Sequence, residues 1–143
     1  KDKRSKIFEG GSGAFILALP TLPLRRSVHI NEAIALFEAS GKSVFSASNY
    51  GFPISFAFHS SEMTSWSPVF PDSPMVTGNT RSQNQKETFH PNGAIYIRRI
   101  DDLILPNLLT LYEDAIPYQM SRNASIDIDT VIDFEIASAL LRI

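Results

Sequence analysis

The sequence predicts an α/β domain organised around a parallel sheet. The expectation rests on three consecutive stretches. Ala14-Phe15-Ile16-Leu17-Ala18-Leu19 is a continuous apolar run of strand length, the pattern of a strand buried on both faces. Val28 to Ser40 is amphipathic with helical spacing, and Ser43 to Ser48 is a second apolar run. Strand, loop, helix and strand in that order form a βαβ unit, whose crossover joins parallel strands with a right-handed turn.

Composition sets the outer bounds. A chain of 143 residues, 43% hydrophobic and 20% charged, fits one domain with a real core. The net charge of −2 argues against a nucleic-acid or anionic-membrane binder. No apolar run approaches the ~18 residues of a membrane span. Lys1 to Lys6 is charged and no signal-type apolar region precedes Gly10, so a cytoplasmic location is the default expectation. The absence of cysteine excludes disulfides and thiolate metal sites.

The elements follow in order. Lys1 to Gly13 is a polar lead-in ending in Gly10-Gly11-Ser12-Gly13. After the first strand, Pro20 and Pro23 hold the chain extended through Arg25 and Arg26. The helix is expected to be capped by Ser27, stopped by Gly41 and buried along Ile30, Ala33, Ile34 and Phe37. Asn49 to His90 is a proline-rich and polar excursion, with an alternating strand pattern at Ile54-Ser55-Phe56-Ala57-Phe58. Gly93 to Ile97 is a strand and Asp101 to Leu105 a short helix stopped by Pro106. Ala115 to Met120 is an edge-like strand tolerating Pro117. Thr130-Val131-Ile132-Asp133 is a capping box opening a last helix, with an apolar face at Ile132, Ile136, Leu140 and Ile143.

Several motifs fail on inspection. Gly41-Lys42-Ser43 ends like a P-loop, but Leu36 stands at the first glycine position. Ala14 stands where a nucleophile elbow needs glycine, and His29, His59 and His90 lack metal-ligand spacing. Asn123-Ala124-Ser125 is a sequon without a secretory signal. The stretch with chemical content is Ser125-Ile126-Asp127-Ile128-Asp129-Thr130. Its period-two alternation reads as a strand end with both carboxylates on one face, suited to sharing one Mg²⁺ beside phosphates. The alternative is a strand end whose aspartates merely cap the turn into the helix.

Three segments in this order, Pro20-Thr21-Leu22-Pro23-Leu24-Arg25, Pro91-Asn92-Gly93-Ala94-Ile95-Tyr96-Ile97 and Ser125 to Thr130, resemble the acylneuraminate cytidylyltransferases, the CMP-sialic acid synthetases. That family has a Pro-Thr-Ser-Pro-Leu-Arg loop, an Arg-Pro-Asn-Gly-Ala-Ile-Tyr-Ile strand and a Ser-Ile-Asp-Ile-Asp-Thr strand end. The resemblance runs from Phe15 to Leu141. It implies a Rossmann-like nucleotide-diphospho-sugar transferase fold, with a mostly parallel sheet, that joins CTP and an acidic nine-carbon nonulosonic acid to give CMP-sugar and pyrophosphate. Asp127 and Asp129 match the metal-binding aspartates and would hold Mg²⁺. Asn92 and Tyr96 match a strand whose polar groups reach the sugar; a turn asparagine and a core tyrosine are the alternatives.

Arg81 and Gln83 resemble a pair that binds the sugar carboxylate, with a solvated loop charge as the alternative for Arg81. Thr21 and Arg25 belong to the Pro-Thr loop, where Arg25 has a structural role open to it. The stretch at about 50–90 matches a dimerisation insert, so a homodimer is implied, with Trp66, Phe70 and Met75 as contacts. Leu19, Leu22 and His90 stand where the family has Gln, Ser and Arg, which leaves related nonulosonic acids open as substrates. The family's basic, glycine-rich CTP loop has no counterpart in these residues. Turnover is therefore not expected of this segment alone, and a non-catalytic dimerising module of the same fold is the alternative.

Overall fold

The computed structural model describes residues 13–62, 64–103 and 111–142. Among them, in chain order, are β1 (Ala14–Leu17), α1 (Ser27–Ser40), β2 (Ser43–Asn49), β3 (Phe58–Ser61), β4 (Ser65–Pro68), α2 (Pro74–Thr77), β5 (Phe89–Arg99), β6 (Ala115–Gln119) and α3 (Val131–Leu140). The chain divides into two units: the described residues of Lys1–Ser48 and Pro91–Ile143 form one, and Asn49–His90 the other. The second unit runs over the same residues as the proline-rich excursion.

The larger unit is mixed α/β. Its open sheet has the strand order β1-β5-β2-β6, with β1 antiparallel to β5 and β2 parallel to β6. The sheet is thus mixed, where the strand–helix–strand pattern predicts parallel pairing. β1 is an edge strand, and Ile16 and Leu17 are 42% and 41% exposed. The expectation of a strand to Leu19 buried on both faces fails for a physical reason. An unbroken apolar run signals double burial only where both faces are covered, and an edge position supplies less cover.

β2 and β5 carry the core. Val44, Ile95 and Ile97 pack with Ala33 of α1, Leu22, Met120 and Ala124, while Ile30, Ile34, Leu36 and Phe37 close over them. The helical stripe read from spacing is the one that packs. The N-cap is Arg26, one residue before the expected Ser27. The His29 amide donates to the Arg26 carbonyl (3.1 Å), and the Arg26 amide donates to His29 Nδ1 (3.0 Å). An imidazole three residues in thus does the work usually left to the glutamate or glutamine of a capping box. Gly41 ends α1 in the left-handed region, φ 68°, its amide donating to the Phe37 carbonyl. β6 tolerates Pro117, in register with Phe45, because it lies at the other sheet edge.

α3 has the expected Thr130 cap but not the expected buried face. Ile132 and Ile136 are 68% and 43% exposed, and the buried contact is Ala137. A small residue permits close approach of a helix, whereas the isoleucine side has no cover among the described residues. Ile143 lies outside those residues. So do residues 104–106 of the expected 101–105 helix and its proline stop, and residues 1–12 of the lead-in; Ile100–Leu103 forms a 3-10 turn.

In the smaller unit Ile54–Phe56 is a 3-10 turn instead of the expected strand. Pro53, at φ −60°, accepts at its carbonyl from the Phe56 amide, which winds the chain before alternation can produce a ladder. The strand starts at Phe58 and pairs antiparallel with β4, where Phe58 and Trp66 meet edge to face at 6.1 Å. Ser73, fully buried, caps α2 by accepting from the Met75 amide and donates to the Ser55 carbonyl.

Candidate functional site

The larger unit brings together three segments far apart in the chain. Leu22 and Leu24 anchor the Pro20–Arg25 loop in the interior. Half-buried Arg25 donates through Nη1 to two carbonyls, Leu19 (2.9 Å) and Ala94 (2.8 Å), tying the loop to β5 with charge-assisted bonds. The Leu19 amide donates to the Gly93 carbonyl at 3.4 Å. Gly93 sits at φ +77°, a backbone conformation that favours glycine; a Cβ there would lie 2.8 Å from Leu19 Cδ1, the movable end of an exposed side chain. The Ile128 amide donates to the Thr21 carbonyl at 2.9 Å, joining the same loop to the aspartate segment.

That segment is not a strand. Ser121 caps a 3-10 turn over Arg122–Ser125, and residues 126–130 run irregularly into α3. Alternating Ile and Asp satisfy the strand pattern, but no described strand lies alongside to supply a ladder. Asp127 is half-buried, and its Oδ1 is wholly buried with no hydrogen-bond partner among the described residues; Asp129 is exposed. A buried acceptor without a donor is costly, and a cation would satisfy it. Two carboxylates one residue apart are hard oxygen ligands of the kind Mg²⁺ takes alongside waters and phosphates, so this donor set fits Mg²⁺. Among the described residues no group of three or more His, Asp or Glu gathers into a metal cage.

Asp133 fixes the far end of the segment. Its Oδ2 accepts from Thr130 Oγ1 (2.7 Å), the Thr130 amide (2.8 Å) and the Asp129 amide (3.3 Å), and Thr130 Oγ1 accepts from the Asp133 amide in return. The Thr130 hydroxyl, followed by the backbone donors, holds the exposed Asp133 carboxyl below its ordinary value of 3.8. A carboxyl with a depressed native pKa stabilises the fold above its unfolded value, and that contribution disappears as pH falls through the native one. Asp133→Asn is therefore expected to lower the thermal midpoint at neutral pH, with the difference from wild type closing on acidification below 3.8. Melting curves across that pH range check it; a constant difference counts against the capping role.

Asn92 joins the cluster from β5. Its Nδ2 donates to Ser125 Oγ at 2.8 Å, and its Oδ1 accepts from Ser46 Oγ. Tyr96 behaves differently. Its hydroxyl lies 3.2 Å from that of Tyr112. Burial first, then the bond to Tyr112, pushes its hydroxyl up to about 12. Tyr112 in turn meets Phe45 edge to face. Arg81 and Gln83 belong to the smaller unit, where both are exposed, and Gln83 lines a cavity with Tyr50, Pro53 and Lys86.

Ser46 and Ser121 were not anticipated as site residues. Serine in a strand or before a turn carries no periodic or spacing signal, and their partners lie elsewhere in the chain. No model of a known protein family matches the chain.

Proposed function

We propose that the chain carries the metal and sugar side of a CMP-sialic acid synthetase-type cytidylyltransferase of Rossmann-like fold. The observation that carries this reading is the convergence of the three segments on which the resemblance rests. Arg25 bonds to Ala94, Ile128 to Thr21 and Asn92 to Ser125. In the proposed reaction the sugar's anomeric hydroxyl attacks the α-phosphorus of CTP. A new P–O bond forms, the bond to the β-phosphate oxygen breaks, pyrophosphate leaves and the hydroxyl proton is released. Asp127 and Asp129 would hold Mg²⁺, which when bound neutralises phosphate charge.

On the sugar side, Thr21 and Arg25 belong to the proposed machinery, and Arg81 and Gln83 offer a guanidinium and an amide for a carboxylate; Asn92 and Tyr96 spend their polar groups on Ser46, Ser125 and Tyr112 instead. Arg25 contributes by holding its loop against β5. A homodimer through the smaller unit, with Trp66, Phe70 and Met75 at the contact, belongs to the same reading, as does a cytoplasmic location. No helix among the described residues is long and apolar enough to cross a membrane. A non-catalytic dimerising module is the second reading, favoured by the exposed apolar side chains Phe58, Trp66 and Val76 of the smaller unit.

Titration calorimetry with CMP-N-acetylneuraminic acid tests the proposal, because product binding draws on the carboxylates and the sugar side directly. Binding that requires Mg²⁺ is the expected result. A folded chain that takes up no CMP-sugar, with or without Mg²⁺, counts against a working metal and sugar side in these residues and favours the dimerising module.

A further inference from the structure

Asn92 is 7% exposed, and its amide is fully used. A side-chain amide offers two N–H donors and two carbonyl lone pairs. Nδ2 donates to Ser125 Oγ at 2.8 Å and to Met120 Sδ at 3.7 Å. Oδ1 accepts from Ser46 Oγ at 2.5 Å and from the Ala94 amide at 3.1 Å. No donor or acceptor is left over for a substrate.

The chain of bonds continues at both ends. Ser46, 0% exposed, accepts at Oγ from the Ile95 amide at 2.7 Å, which locks its hydroxyl toward Asn92. Ser125 Oγ donates to the Ser121 carbonyl at 2.8 Å, closing the 3-10 turn that leads into Ile126 and Asp127. A segment with no strand ladder needs other fixtures, and its front end is held here, its middle by Thr21 and its rear by Asp133.

We propose that Ser46, Asn92 and Ser125 form a buried positioning relay that sets the aspartate segment for divalent-cation binding, so that Asn92 acts on the carboxylates and not on the sugar. The inference rests on the reading of Asp127 and Asp129 as cation ligands. The relay couples the sheet interior to the segment. Partly satisfied networks of this kind are costly, so loss of one hydroxyl is felt along its length.

The test is Mn²⁺ titration of the full chain, following free Mn²⁺ by electron paramagnetic resonance, with near-ultraviolet circular dichroism to confirm folding. Ser125→Ala is expected to weaken Mn²⁺ binding by about tenfold, the scale of lost outer hydrogen bonds at metal sites, while Ser125→Thr retains the hydroxyl and restores it. Ser46→Ala, reaching the segment through Asn92, is expected to weaken it in the same direction, and it stands in if Ser125→Ala does not fold. Wild-type binding with unchanged affinity in the folded alanine variants overturns the relay and leaves the cation site standing. Equal weakening in Ser125→Ala and Ser125→Thr also overturns it, since the hydroxyl would then not be the determinant. A folded wild type that takes up no Mn²⁺ overturns the cation reading itself, and the relay with it.

Discussion

Asp127→Asn is expected to weaken Mn²⁺ or Mg²⁺ binding by about tenfold or more, because the amide removes one of two acidic ligands and affinity at such sites follows ligand charge. The fold is expected to survive. Among the described residues Asp127 Oδ1 is buried without a donor, so the wild-type carboxylate is a group whose desolvation is poorly compensated. Neutralising it while keeping its shape is expected to leave the thermal midpoint unchanged or raise it. Opposite movement of affinity and stability is the mark of a group kept for a ligand. Calorimetry and melting on the same samples decide it; a lower midpoint with unaltered cation affinity would identify Asp127 as a purely structural residue.

Leu22→Ala is expected to have the largest effect on stability, a loss of about 2–5 kcal/mol, the usual cost of truncating a buried leucine. Leu22 is 1% exposed and belongs to the cluster with Ile95, Ile97 and Ala33. It also anchors the loop from which Thr21 accepts the Ile128 amide and Arg25 reaches Ala94. Since a domain is typically stable by only about 5–15 kcal/mol, the change takes a large share of the total. Urea unfolding should show a lower midpoint at unchanged slope. A shift worth less than about 1 kcal/mol would mean that the loop tolerates the cavity by collapsing onto it.

Legibility of the chain followed the range of the interactions involved. The Thr130–Asp133 cap, the Gly41 stop and the Ile30, Ala33, Ile34 and Phe37 stripe were readable because each depends on residues within a few positions of one another. Where a local pattern admits two conformations, it misled. Ile54–Phe58 alternates, yet Pro53 winds its start into a turn, and Ser125–Thr130 alternates with no described strand beside it. Asp127, Asp129 and Asn92 are candidates only alongside the resemblance, since two carboxylates in an alternating run have a plain capping explanation as well.

By itself, then, the sequence determined the α/β class, the Gly41 stop and the Thr130 cap, and which short stretches carry polar groups of chemical interest. The tertiary structure alone decided that β1 is an exposed edge antiparallel to β5, that α3 turns its isoleucines outward, and that Ser46 reaches Asn92 and Asn92 reaches Ser125. Those last two bonds cross separations of 46 and 33 residues. The reason is physical: propensity and periodicity are properties of a few neighbouring residues, whereas strand partners, face coverage and buried hydroxyl contacts are chosen by the packing of distant ones.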